Sequence, residues 1–231
     1  MVIQLYDLAG VDENRRFSPY CWRIRMALVH KELQVQTIPW RFTDKAAIAF
    51  SGQGAVPVLV DGDLTVVDSW RIANYLEDQY PDRAPLFGCE AARHHALFIK
   101  LWVERVLNPL ALRMVALDIF KHLHEKDRAY FRETREKRFG MSLEAYVSNR
   151  EQARDGFREA LAPLRAFLGE QPFLGGLKPL FADYLVFGTF QWMRCVSDFQ
   201  VLAKDDPVYA WRARLLDLYG GLARAAVGYP V

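Results

Sequence analysis

Ser18-Pro19-Tyr20-Cys21 places a hydroxyl, a helix-starting proline and a thiol within one turn of chain. Serine is a preferred helix N-cap, and proline fits the first helical position, where its missing N–H costs nothing. The apolar run from Tyr20 to His30 has helical period, so the spacing predicts that these two residues open a helix. The Ser18 oxygen then stands at the positive end of that helix, where an anion is favoured. Farther along, Val56-Pro57 precedes a hairpin and Asp68-Ser69 opens a second helix. Taken together these signals read as a site for a small anionic thiol, although simple capping accounts for Ser18, Asp68 and Ser69 one at a time. Cys21 takes the second position of a Cys-x-x-Cys pattern whose first position is Ser18, so no internal disulfide can form there. About three residues into its helix, it is expected to face inward as a small apolar residue.

The elements that must position these groups follow from pattern. Val2 to Tyr6 reads as a strand, Tyr20 to His30 as a helix, and Gln34 to Ile38 as a strand. Asp44 to Phe50 can make a short helix, and Val56 to Val60 and Leu64 to Val67 are strands joined at Asp61-Gly62, a strong hairpin signal. Ser69 to Tyr80 is a helix stopped by Pro81. This βαβ unit, hairpin and closing helix predict a mixed four-stranded sheet with helices packed on it. Beyond the Pro/Gly-punctuated stretch Pro81 to Gly88, everything is helical in pattern: Ala91 to about His124 with a kink at Pro109, Asp127 to Arg138, Leu143 to Leu168, Ala182 to Val196, and Val208 to Tyr219. The expected fold class is therefore α/β plus all-α, divided as residues 1–82, a linker at 83–90, and a helical domain at 91–231.

Bulk properties exclude several function classes. With 231 residues and 52% hydrophobic content the chain can bury a sizeable core. A net charge of +2 argues against a nucleic-acid partner. The three cysteines, Cys21, Cys89 and Cys195, form neither a metal-type cluster nor a disulfide framework, which suits a reducing compartment. His122 and His124 are two apart and so lie on different helix faces, and no metal site is read from them. No run is long enough to span a membrane and the N-terminus lacks signal-peptide character, so a cytoplasmic location is expected.

The string Ser18-Pro19-Tyr20-Cys21-Trp22-Arg23 resembles the glutathione transferase superfamily, and more narrowly its serine-type branch of bacterial glutathione-dependent β-etherases and related fungal transferases. Val56-Pro57-Val58, Asp68-Ser69-Trp70, Tyr80-Pro81-Asp82-Arg83, Phe181-Ala182-Asp183-Tyr184 and Asp205-Asp206-Pro207 carry the same resemblance, which spans nearly the whole chain. It implies a thioredoxin-like first domain, an all-helical second one, glutathione as co-substrate, and a homodimer. Ser18 inherits the role of donating a hydrogen bond to the glutathione sulfur. The Val56-Pro57 peptide is implied to be cis, with the Val56 backbone pairing to the cysteinyl part. Asp68 and Ser69 would receive the γ-glutamyl end. Arg41, Lys45 and Gln53 are candidates for the glycyl carboxylate, though they serve equally as solvated side chains. Asp183 matches the buried aspartate that opens a central helix in these proteins, but Leu180 stands where Ser or Thr is usual, which removes half of the expected capping arrangement.

Magnitudes bound what Ser18 can contribute. Lowering a thiol pKa of about 8.5 by about two units takes roughly 2.7 kcal/mol of thiolate stabilisation. A charge-assisted hydrogen bond and a helix N-terminus can supply that. The thiolate fraction then rises roughly twenty- to thirty-fold while nucleophilicity falls roughly six- to ten-fold, so the net gain is only a few-fold. Most acceleration must come from holding sulfur and electrophile together, and the specificity is expected in the helical domain.

In that domain Trp102, Arg105, Asn108, Pro109 and Met114, with aromatics from the Phe120 to Tyr146 region, and Tyr20 and the loop after Gly10 from the first, could line an apolar cleft suited to a hydrophobic, aromatic electrophile. Ordinary core packing accounts equally well for Trp102 and Met114. The basic stretch from Arg128 to Arg138 reads as a solvated face. Three functions remain open at this level: a glutathione S-transferase performing conjugation or β-aryl-ether-type displacement, a glutathione-dependent reductase using Cys21, and a non-catalytic carrier of hydrophobic ligands.

Overall fold

A computed structural model describes residues 2–230. Strand β1 (Ile3–Leu8) crosses through helix α1 (Pro19–His30) to a parallel neighbour, β2 (Val35–Trp40). A 3₁₀ turn (Lys45–Ser51) leads to β3 (Val58–Asp61), antiparallel to β1, and the hairpin partner β4 (Leu64–Val67) precedes α2 (Ser69–Gln79). The sheet order is β2-β1-β3-β4. This is the mixed four-stranded sheet expected from pattern, in the thioredoxin-like form that the family resemblance implies. Leu5 sits opposite Thr37 on one side and Leu59 on the other, and both leucines are fully buried. The hairpin turn is one residue later than expected. Asp61 pairs with Leu64, so Gly62 and Asp63 form the loop, and Gly62 takes the positive φ of 60° that favours glycine.

The remainder is helical: α3 (Glu90–Trp102), α4 (Asn108–His122), α5 (Glu125–Phe139), α6 (Leu143–Val147), α7 (Arg150–Ala160), α8 (Ala162–Glu170), α9 (Phe181–Val196) and α10 (Pro207–Ala225). Three stretches depart from the simple periodic reading. Between α3 and α4 the chain makes a π turn over Val103–Leu107, just before Asn108-Pro109. Pro109 has no N–H to return to the preceding turn, so widening the helix there costs less. The expected helix Leu143 to Leu168 is three helices. Asn149 leaves helical geometry at φ −105°, ψ 36°, and the α7–α8 junction at Leu161 lies just ahead of Pro163, whose ring disfavours helical continuity. α10 breaks at Leu218–Gly221, where Tyr219, Gly220 and Gly221 all have positive φ, before a last short turn to Ala225.

Helix α9 is the central support. All but one of its residues are buried, and it packs along α1. Gly188 is what allows this approach: a methyl group there would overlap the Pro19 carbonyl oxygen and press on the Arg23 side chain. The Asp183 carboxylate accepts hydrogen bonds from the Leu174, Gly175 and Leu180 N–H groups at 2.8, 3.0 and 3.0 Å, and from the Trp211 indole at 2.9 Å. Leu180 supplies no side-chain cap, so Asp183 provides its half of the arrangement and also ties down the preceding loop. At the far end of α1, the His30 ring and the Tyr184 and Tyr219 hydroxyls form a closed hydrogen-bonded triangle. Among the described residues no helix is long and apolar enough to cross a membrane.

Candidate active site

Ser18 caps α1 in extended conformation, with φ −77° and ψ 124°, and Pro19 follows at the first helical position. Its Oγ accepts a hydrogen bond from the Cys21 N–H at 3.1 Å. A hydroxyl has two lone pairs and one proton, so capping consumes acceptor capacity and leaves the O–H free to donate. Ser18 is only 3% exposed, yet it lines a cavity of about 340 Å³ between the sheet half and the helical half. Pro19 and Tyr20 line it too. The Tyr20 N–H belongs to the first turn of α1, which offers it no intrahelical acceptor. One hydroxyl and the positive end of a helix therefore face one concave space. An anion placed there would be stabilised by both.

The other candidates fall into three groups. Val56 lines the cavity beside Ser18, and the Val56–Pro57 peptide is cis. Lys45 also lines it, with its ammonium over the Trp40 and Tyr130 rings at 4.9 and 5.4 Å and bonded to the Gly54 carbonyl. Asp68 and Ser69 stand at the N-terminus of α2, outside the cavity wall. The Asp68 carboxylate accepts from the Trp70 and Arg71 N–H groups at 3.0 and 3.1 Å. Asp68 holds φ 72°, ψ 129°, a backbone geometry L-residues rarely adopt and one that clusters at ligand clamps. Arg41 and Gln53 are also outside the wall. Arg41 pairs with Glu13 at 3.0 Å and donates to the Gly10 carbonyl, while the Gln53 N–H bonds the Ser51 hydroxyl.

On the helical side the structure brings Tyr20 to the cavity but not Trp102, Arg105 or Met114. Trp102 ends α3 half-buried, Arg105 is exposed on the π turn, and Met114 is buried in the core. Of the other residues expected there, Asn108 and Pro109 do face the space, joined by Glu104 on the π turn and by Leu112. Glu104 is held by the fully buried Arg23 at 2.9 Å and by Lys100 at 2.7 Å. Burial raises its pKa, but these two cations outweigh burial and hold the carboxyl below its usual range.

The aromatics of α5 fall within the Phe120 to Tyr146 stretch expected to supply the cleft, but sequence reasoning missed the two arginines of the α5 wall. Tyr130, Phe131, Arg135 and Arg138 line the cavity, opposite Trp40 and Phe42 from the end of β2. The spacing of Phe131, Arg135 and Arg138 (i, i+4, i+7) marks one helix face and is the signal that could have found them.

Cys21 lies where it was expected, fully buried, with its thiol toward the Tyr6 carbonyl. Burial and, next, the nearby Asp7 charge push its pKa well above the usual thiol range, so it is a poor nucleophile. No cluster of three or more metal-ligating side chains occurs among the described residues.

Comparison with known proteins follows this geometry. Residues 14–84 match the family model for the glutathione S-transferase N-terminal domain, and residues 94–209 match that for the C-terminal domain. The chain is 30% identical over 132 residues to "Glutathione S-transferase Z2" of Arabidopsis thaliana, covering 55% of this chain and 52% of that protein. The matched stretch spans 52% of that relative's length and 29% of the length of "Glutathione S-transferase Z1" from the same plant. Among solved structures the chain is similar to glutathione transferase GSTFuA3 from Phanerochaete chrysosporium, with TM-score 0.77, 25% identity and coverage of 96% and 92% of the two chains. It is equally similar to the glutathione S-transferase CsGST63524 of Ceriporiopsis subvermispora in complex with glutathione, with TM-score 0.78, 25% identity and coverage of 95% and 97%.

Proposed function

The chain belongs to the glutathione S-transferase family, and from that premise we propose that it activates the glutathione thiol at Ser18 for attack on a small, aromatic electrophile. The observation that carries this reading is the Ser18 hydroxyl, which caps α1 through a lone pair and keeps its proton for the cavity it lines. That a structural relative is in complex with glutathione supports the tripeptide as the thiol substrate.

In the proposed reaction the thiol loses its proton to solvent, and Ser18 O–H together with the N-terminus of α1 stabilises the thiolate. A sulfur lone pair then forms the bond to the electrophilic carbon. In displacement, halide or aryloxide departs with the electrons of the broken bond; in addition, the carbon skeleton takes a proton from water. Residues 1–82 hold the tripeptide. The backbone at Val56-Pro57 receives the cysteinyl part, Ser69 and the start of α2 the γ-glutamyl carboxylate, and Asp68 its ammonium. Lys45, which lines the cavity, takes the glycyl carboxylate ahead of the other two candidates, Arg41 and Gln53. Residues 91–231 and Tyr20 hold the electrophile; Trp102, Arg105 and Met114 lie off the cavity and are given no part. Burial of Cys21 argues against the reductase reading. A homodimer in a cytoplasmic, reducing setting belongs to the same proposal. An apolar face on α3 favours it, where Leu97, Phe98 and Leu101 are exposed, Phe98 by 70%.

The test is Ser18→Ala assayed with 1-chloro-2,4-dinitrobenzene across pH. Without the hydroxyl the bound thiol should titrate nearer its unperturbed value of about 8.5. The expected loss in kcat/KM is roughly five- to eight-fold at pH 6.5, and it disappears toward pH 9, where the thiolate forms unaided. Cys21→Ala assayed alongside should retain the wild-type pH profile. A Ser18→Ala enzyme with the wild-type rate at pH 6.5 would overturn the reading.

A further inference from the structure

The α5 wall carries charge that no carboxylate among the described residues neutralises. The Arg135 guanidinium carbon lies 4.9 Å from the Phe131 ring centroid and 5.4 Å from that of Phe42. Its one hydrogen bond goes from Nη1 to the Thr134 hydroxyl at 3.0 Å. Among the described residues no carboxylate comes within 4.0 Å of Arg135 or Arg138. The acids nearby are committed elsewhere: Glu136 and Glu144 pair with Arg132, and Glu104 pairs with Arg23 and Lys100. Arg135 is half-buried, and Arg138 stands exposed one turn closer to the C-terminus of α5. The cavity thus has a basic end and, around it, the rings of Trp40, Phe42, Tyr130, Phe131 and Trp192.

A guanidinium packed over two adjoining rings, whose centroids are 5.6 Å apart, keeps a planar fork of N–H donors, and the partner that fits such a fork is a carboxylate. Burial already lowers the Arg135 pKa, the mark of a cation short of water. At about 340 Å³ the space lies at the small end of ligand pockets, which run from roughly 300 to 1,000 Å³. Part of it must also take the thiol end of glutathione. One aromatic ring fits what is left better than two.

We infer that the electrophile this enzyme is shaped for is a single-ring aromatic bearing a carboxylate, with Arg135 binding the carboxylate and Arg138 at the rim drawing it in. This rests on the transferase reading and names its second substrate class. Glutathione carries carboxylates of its own, so the experiment must separate the two sources.

The probes are 4-chloro-3,5-dinitrobenzoate and its methyl ester. In each, the glutathione sulfur forms the new bond to carbon, chloride leaves with the electron pair, and the thiol proton goes to solvent. Wild type should prefer the acid over the ester in kcat/KM. In Arg135→Gln the acid-to-ester ratio should fall about 10- to 100-fold, the loss expected for one charged hydrogen-bonded contact, and mostly through KM for the acid. Arg135→Lys should recover part of that ratio, and Arg138→Gln should lower it only a few-fold. Equal losses on acid and ester would overturn the inference, as would a wild-type preference for the ester. So would a rise in KM for glutathione with the acid-to-ester ratio unchanged, which would assign Arg135 to the tripeptide. If wild type turns over neither probe nor 1-chloro-2,4-dinitrobenzene, the transferase reading fails. Calorimetry with 3,5-dinitrobenzoate and its methyl ester then still decides the Arg135 contact: tighter binding of the acid, abolished in Arg135→Gln, supports it, and equal binding overturns it.

Discussion

Helices α9 and α5 both reach the same cavity, α9 through Trp192 and α5 through Tyr130, Phe131, Arg135 and Arg138, yet they are built oppositely. α9 is enclosed on every side, with Asp183 through Val196 all buried. α5 buries only Asp127 and Phe131 of its fifteen residues and spends its other faces on charge. A helix apolar all round must be gripped by neighbours, while a polar one needs few of them. The first therefore fixes where α1, and with it Ser18, can sit. The second can change rings and charges at the cavity with little consequence for the fold. Position and selectivity are carried by different helices.

Three substitutions would break or sharpen this contrast. The largest effect belongs to Asp183→Ala, which strands three backbone donors and the Trp211 indole in a buried place. A loss on the order of 4 kcal/mol is expected in urea titration, or failure to fold, since each orphaned donor carries its own desolvation cost. Next is Gly188→Ala, where the added methyl meets the Pro19 carbonyl and one helix must move. Overpacking of this kind should cost about 1–3 kcal/mol in the same titration. Because the displaced turn holds Ser18, kcat with 1-chloro-2,4-dinitrobenzene should fall too, at a temperature where the variant is folded. The smallest effect is expected on α5. Lys137→Ala removes an exposed charge and should leave stability within about 0.5 kcal/mol. A large loss there, or none at Gly188, would dissolve the contrast.

The sheet half of the site was readable from sequence because each of its parts is announced locally. Ser18-Pro19 is a cap followed by a first-turn proline, and Asp61-Gly62 is a turn signal misplaced by a single residue. The cis Val56–Pro57 peptide came from the family resemblance and not from the residues alone, since proline by itself favours trans. The helical half resisted because its site residues are chosen by packing. Trp102, Asn108, Pro109 and Met114 look equally suitable for a cleft, and packing around the π turn at Val103–Leu107 leaves only Asn108 and Pro109 facing it. The charges from Arg128 to Arg138 read as solvated, as most do. Arg135 is the exception because Phe42, distant in sequence, closes over it. The missing hydroxyl at Leu180 was legible as a departure, but the remedy lay in loop N–H groups at Leu174 and Gly175 that no local pattern ties to Asp183.

The walling-off of Cys21 has a bearing on life under oxidants. Peroxide attacks thiols in proportion to their thiolate character and exposure, and this one offers neither. On the proposed reading the only sulfur at work arrives from outside and leaves with the product. Oxidative stress would then idle the enzyme by draining its supply of reduced tripeptide. Replenishing that pool would restore turnover, with nothing at the reaction centre needing repair.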